Sequence, residues 1–204
     1  MHVEGFTGPF VSDAARVGML EAIHGSELSV DQPNRPYRCR RSRAPRAAND
    51  HDPLADHSTI AKEVSVALEA TPLLEWEWKV LTLPRGADLR ERPTSDTTGH
   101  LFVIWPRFPA LLRSRLIGYV WDSSLPVGSI VKSRKTSSVT FIVVRRGEDG
   151  LGQWLPERRN VVDDHRRVFG EAPDNPQALA LSIDTNDTRS VAATRFARIA
   201  FARA

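Results

Sequence analysis

The chain has 204 residues, 41% hydrophobic and 26% charged, which fits one globular domain with a sizeable core plus some less ordered chain. Its 28 Lys and Arg nearly balance 25 Asp and Glu, giving a net charge of +3, and no run of about 18 apolar residues exists. Composition therefore points neither to a nucleic-acid binder nor to a membrane-spanning helix, and the single Cys39 excludes an intrachain disulfide and a cysteine-based zinc site.

The start, "MHVEGFTGPFVSD", lacks the basic end and the apolar stretch of about 7–15 residues that mark a secretory signal, so the chain as written is expected to stay in the cytoplasm. Residues 33–57, "PNRPYRCRRSRAPRAANDHDPLADH", are rich in Pro, Arg, Ala and Asp and offer little to bury against a core; poor order is expected there. Within them Arg38, Arg40, Arg41, Arg43 and Arg46 form the densest basic cluster. Its one neighbouring aromatic, Tyr37, does not make a base-stacking surface.

From Thr59 onward the chain reads as short strands separated by turns. "SVAL" (65–68) is a first candidate. In "LEWEWKV" (74–80), Leu74, Trp76, Trp78 and Val80 alternate with Glu75, Glu77 and Lys79, the period of a strand with one buried face, and both tryptophans are expected in the core. "HLFVIW" (100–105), "RLIGYVW" (115–121), "VTFIVVR" (139–145), "ALALSI" (178–183) and "TRFARIAF" (194–201) follow, rich in β-branched and aromatic residues. Turn signals stand between them at Pro84-Arg85-Gly86, Pro126-Val127-Gly128 and Gly147-Glu148-Asp149-Gly150. One short helix is expected near 161–169, with Asp163 and Asp164 early, Arg166 and Arg167 late, and Gly170 closing it. Many short strands with almost no helix predict an all-β sandwich or barrel over residues 58–204.

"TPLLEWEWKV", "GYVWDSSLPVGSIV", "GQWLPERRNVVDDHRRVFGE" and "LSIDTNDT" together resemble DUF3047, a bacterial family of unknown function, over roughly Ser58 to Phe201. The resemblance implies a jelly-roll-like β-sandwich similar to carbohydrate-binding modules, an exported location, and no assigned activity. Where the family has two aspartates and then an Arg, this chain has Ser95-Asp96 and His100, so only Asp96 carries over. The family's usual "DTDNT" stands here as Asp184-Thr185-Asn186-Asp187-Thr188, with amide and acid exchanged. The first 57 residues fit the family poorly. An Arg/Ala/Pro-rich stretch is what GC-rich coding DNA yields out of frame, so a frameshifted or wrongly started N-terminal segment, with loss of a signal peptide, is expected.

Several constellations are candidates for chemistry. Glu75 and Glu77 share one strand face about 6.6–6.8 Å apart, near the separation of about 6.5–9.5 Å in inverting glycosidases. Such a pair must flank its bond from opposite sides, however, and Lys79 is placed to pair with Glu77, so a solvated face is the better reading. The six histidines form no i, i+4 pair and no HExxH, and His100 and His165 read as surface residues. No nucleophile elbow, phosphate loop or dinucleotide fingerprint is present.

"GQWLPERRNV" sets Trp154 beside Glu157, Arg158, Arg159 and Asn160, a flat apolar ring among planar polar groups, the mixture a sugar site uses. The structural alternative has Trp154 in the core and Arg158 or Arg159 paired with Asp163 or Asp164. "SIDTNDTRS" (182–190) offers Asp184 and Asp187, with Asp96 from elsewhere, as ligand or cation groups. It lacks the Gly and closing Glu of a helix-flanked calcium loop, and a turn stabilised by side-chain acceptors is favoured.

The sequence thus predicts a sandwich that binds a saccharide or other polyhydroxylated ligand without catalysis, through Trp154, Glu157, Arg158, Arg159, Asn160, Asp184, Asp187 and Asp96. No cofactor and no nucleic-acid partner are expected. The rivals are a polysaccharide lyase or hydrolase drawing its acid and base from Asp96, Glu75 or Glu157, and a purely structural envelope protein.

Overall fold

The computed structural model describes residues 27–32, 35–38, 57–108 and 113–204, with side chains from Thr59 onward. Among the described residues eleven strands make two sheets: β1 (Glu27–Gln32), β2 (Arg35–Arg38), β3 (His57–Glu63), β4 (Leu73–Thr82), β5 (Thr97–Trp105), β6 (Arg115–Asp122), β7 (Ile130–Lys132), β8 (Val139–Arg146), β9 (Leu155–Asn160), β10 (Ala178–Asp184) and β11 (Ala193–Ala202). Sheet A runs β2-β1-β11-β4-β9 and sheet B runs β3-β10-β5-β6-β8-β7. Pairing is antiparallel except for β1 with β11 and β6 with β8. With α1 (Val161–Phe169) as the α-helix of more than one turn among the described residues, the molecule is the all-β sandwich that the strand pattern predicts.

The alternation in "LEWEWKV" does what period-two patterning demands. Leu74, Trp76, Trp78 and Val80 are fully buried between the sheets, while Glu75, Glu77 and Lys79 face out from sheet A. Aromatic rings fill the middle of the core. Trp76 stacks on Tyr119 of β6 at 5.3 Å and meets Trp78 edge-on at 5.7 Å, and Trp78 packs against Trp121 and Phe196.

Sheet B differs because its inner strands β10, β5, β6 and β8 are largely unbroken apolar runs, which need cover on both faces. Its inner face joins the core through Leu101, Val103, Ile117, Ile142 and Leu181. Its outer face holds a second buried cluster, Phe102, Ile104, Leu116, Phe141 and Ala180, capped in part by Leu89 and Leu125 of the flanking loops. Gly118 lies where the rings of Phe102 and Phe141 close over the sheet. A Cβ there would sit 2.7 Å and 2.8 Å from them, so no larger residue fits without moving the rings.

Helix α1 starts on Asn160, whose side chain accepts from the backbone N–H groups of Val162 and Asp163. It ends at Gly170, left-handed at φ +77°, whose N–H returns to the Arg166 carbonyl. Its buried face is Val161, Asp164 and His165, so two of its three buried residues are polar.

Three readings are corrected. "SVAL" is not a strand: β3 precedes it, and Val64 to Leu68 form the crossing from sheet B to sheet A, where Leu68 N–H donates to the Asn175 amide and Val64 N–H to the Gln177 carbonyl. Its apolar residues serve the core at that crossing. His100 and His165 are buried instead of exposed, His100 between Phe102 and Phe141 and His165 against Trp105 and Phe169. Burial first, and then the neighbouring Arg115 and Arg107, hold His165 below the usual imidazole range, against the pull of the Glu171 carbonyl it bonds. Lastly, Glu77 pairs with Arg198 at 2.8 Å and not with Lys79.

The domain boundary placed at residue 57 falls at the start of β3. From the segment before it, residues 27–32 and 35–38 are strands of sheet A, and the other positions, with most of the Arg cluster, lie outside the described residues.

Candidate functional site

Strand β9 carries most of the candidate residues, and its pleat divides them. It is an edge strand paired only with β4, which is why Pro156, with no N–H to give, is tolerated within it. Leu155, Glu157 and Arg159 turn toward the core, whereas Trp154, Pro156 and Arg158 are exposed on the outer face of sheet A. The cluster that looks continuous in sequence is two half-sites on opposite sides of one strand.

The inward half is structural. Glu157 accepts from Trp78 Nε1 at 2.9 Å and from Arg145 Nε. Burial pushes its carboxyl up, and the Arg145 and Trp78 donors draw it back. Arg159 forks onto Asp164 through Nε at 2.9 Å and a second nitrogen, and Asp164 also accepts from Tyr119 OH at 2.9 Å. Burial, with the Asp164 charge beside it, raises the Tyr119 phenol well above its ordinary value, so it stays a neutral donor. This Arg159–Asp164 pair is one half of the structural alternative for the stretch, the other half, Trp154 in the core, not being met; with the Asn160 cap the pair fixes α1 against the sandwich.

The outward half is a flat polar surface with an aromatic at its edge. Trp154, on the outward side of the chain entering β9, keeps 37% of its surface exposed. Arg158, four residues further and roughly 13 Å along the strand, bonds Glu75 of β4 at 3.1 Å. Next to it Glu77 holds Arg198 of β11. Glu75, Glu77, Arg158 and Arg198 thus form two exposed ion pairs in adjacent positions, each of a kind that contributes about 0–1 kcal/mol to folding.

The third group, from "SIDTNDTRS", lies at one end of sheet B. Asp184 closes β10, and its carboxylate accepts the Asn186 N–H. Asp96, just before β5 and 1% exposed, accepts from the backbone N–H groups of Asp187 at 3.1 Å and Thr188 at 2.7 Å and from the Thr188 hydroxyl at 2.6 Å. The place a cation would take is filled from within the chain. Lys135 Nζ, from the β7–β8 connection, lies 2.5 Å from Asp187, 3.2 Å from Asp184 and 3.3 Å from the Asn186 oxygen. Burial pulls the lysine down, but Asp187 and Asp184 together hold it above its ordinary value, so it stays charged. Among the described residues no group of three or more His, Cys, Asp and Glu is placed to hold a metal. The stretch is a turn locked to β5 by Asp96. Accordingly Asp96→Ala should cost about 2–3 kcal/mol in chemical denaturation, the scale of hydrogen bonds to a buried charge. Added calcium should leave the melting temperature of the wild type unchanged; a calcium-dependent rise would refute the turn reading.

The structure therefore unites Asp96 with Asp187, leaves Trp154 and Arg158 exposed on one side of β9 without contact between them, and takes Glu157, Arg159 and Asn160 into the scaffold. Arg198 and Lys135 were not among the sequence candidates. The family described as "Protein of unknown function (DUF3047)" matches residues 42–200, most of the chain. The chain belongs to DUF3047. No curated protein matches it. The DUF3047 match takes in β3 to β10 and most of β11, so all of sheet B and all three groups above lie within it, while β1 and β2 of sheet A precede it. Among the described residues no helix is long and apolar enough to cross a membrane.

Proposed function

We propose that this DUF3047 protein is a non-catalytic binding module whose outer sheet A face takes a saccharide or other polyhydroxylated ligand. The observation that carries the reading is Trp154: an indole 37% exposed where the chain enters β9, on the side of the exposed Pro156 and Arg158 and of Glu75 and Glu77. An indole face covers the C–H surface of a sugar ring, and guanidinium and carboxylate groups reach its hydroxyls in pairs. An exported location, which the resemblance implies, belongs to the same reading.

The acids and bases an enzyme would need are engaged. Asp96 takes three hydrogen bonds, Glu75 pairs with Arg158, and Glu157, whose carboxyl burial raises, lies on the other side of β9 from the indole. A general acid needs to reach the bond it protonates, and Glu157 faces Trp78 and Arg145 instead.

A glycan array followed by titration calorimetry on the best binder tests this. Trp154→Ala should weaken binding at least tenfold while shifting stability by no more than about 0.5 kcal/mol, as for an ordinary surface substitution. Unchanged affinity in Trp154→Ala would overturn the proposal, and release of shorter products from the bound glycan would replace it with the enzyme reading.

A further inference from the structure

We infer that the saccharide is acidic, its carboxylates recognised by Arg198 and Arg158; the inference rests on the binding face proposed above. It starts from a backbone outlier. Between the pairs Ala197↔Glu77 and Ala200↔Glu75, β11 spends one residue more than β4, a bulge. Arg198 lies in it at φ +52°, the left-handed region that an L side chain occupies at a cost and glycine occupies freely.

The fold does not explain the choice of arginine. Its side chain is 77% exposed and its ion pair with Glu77 is a surface pair of small worth. A bulge re-aims a side chain, and strain of this kind concentrates at sites of function. Here it stands a long cation out over the same face that holds Trp154.

The neighbours complete a carboxylate receptor. Arg158 is 58% exposed, and Glu75 and Glu77 hold the two guanidiniums in place, which reduces the side-chain ordering a ligand would otherwise have to offset. Each guanidinium has five N–H donors; Arg158 spends Nε on Glu75 and reaches the Arg203 carbonyl with Nη2 at 3.5 Å, Arg198 spends Nη1 on Glu77, and the remaining N–H groups are there for a ligand carboxylate. Strands β9 and β11 flank β4, putting the two arginines roughly 10 Å apart across the sheet, a spacing for two separate acid groups on one polymer. On β9, β4 and β11 the outward charged residues are Arg158, Lys79, Arg195 and Arg198 against Glu75 and Glu77, so the face stays positive after its ion pairs are made. A nucleic acid is the less suited polyanion because Trp154 is the sole aromatic on this face among the described residues, where a strand of bases wants several.

Calorimetric titration of the full chain with hexagalacturonate, neutral cellohexaose and hexathymidylate at low salt tests the inference. Hexagalacturonate should bind at least tenfold tighter than either, with an affinity that falls as NaCl is added. Arg198→Gly should reduce hexagalacturonate affinity tenfold or more with the melting temperature unchanged or raised, since glycine suits the bulge, and Arg158→Gln should reduce it similarly. Trp154→Ala should weaken every sugar that binds. Cellohexaose binding as tightly as hexagalacturonate, or Arg198→Gly binding like wild type, overturns the acidic assignment and leaves the binding face standing. Hexathymidylate binding tightest overturns the saccharide class, and no binding of either sugar with Trp154→Ala indistinguishable from wild type overturns both readings.

Discussion

Replacing Trp78 with Ala is expected to lower stability by about 3–5 kcal/mol, the range for emptying a large aromatic site in a close-packed core. Trp78 is fully buried, touches Trp76, Trp121 and Phe196, and donates its indole N–H to Glu157. The loss is therefore double: a void between the two sheets, and a mostly buried carboxylate left with Arg145 alone. Urea denaturation should show an earlier midpoint at an unchanged slope, and melting should fall by roughly 6–20 °C. A loss under about 1 kcal/mol would mean that this strand face is not the core. Trp78→Phe separates the two contributions, since it keeps most of the volume and removes only the donor.

The second large effect is at Asp164. Asp164→Ala should cost about 3 kcal/mol, because it strips the partner from a half-buried Arg159 guanidinium and from the buried Tyr119 hydroxyl together. Tyr119→Phe, which removes one neutral donor and leaves the Arg159–Asp164 pair intact, should cost only about 1 kcal/mol. Equal losses for the two variants would show that Tyr119, not the ion pair, anchors α1. Hydrogen exchange offers a second readout: the α1 amides should lose protection in Asp164→Ala before those of β4 do.

Most of the scaffold was legible because burial leaves a period. β4 announces one buried face by strict alternation, and β5, β6 and β8 announce two by unbroken apolar runs. The helix was legible from its early acids, its late arginines and Gly170, while the Asn160 cap showed only in the structure. What failed to show was whatever depends on distant partners. β9 does not stand out as a strand because Pro156 and three charges mask one that has only an edge to fill, and recognising its period of two would have separated Glu157 and Arg159 from Trp154 and Arg158 at once. "SVAL" carries a strand's composition but serves a crossover.

The same limit governs the candidate site. Asp96 bonds Thr188 across 92 residues, and Lys135 reaches the Asp184 turn across 49. No local pattern encodes either contact. Arg198 is the sharpest case: its left-handed backbone follows from a register shift between β11 and β4, and the residues around it, "TRFARIAF", read as an ordinary strand.

The most direct test of the binding face is amide and indole chemical-shift mapping during titration with hexagalacturonate. The account predicts that the Trp154 indole and the amides of Glu75, Glu77, Arg158 and Arg198 move together and saturate with one affinity, while Asp96, Asp184 and Asp187 stay still. Shifts centred on the Asp96, Asp184 and Asp187 turn, with Trp154 unmoved, would contradict it.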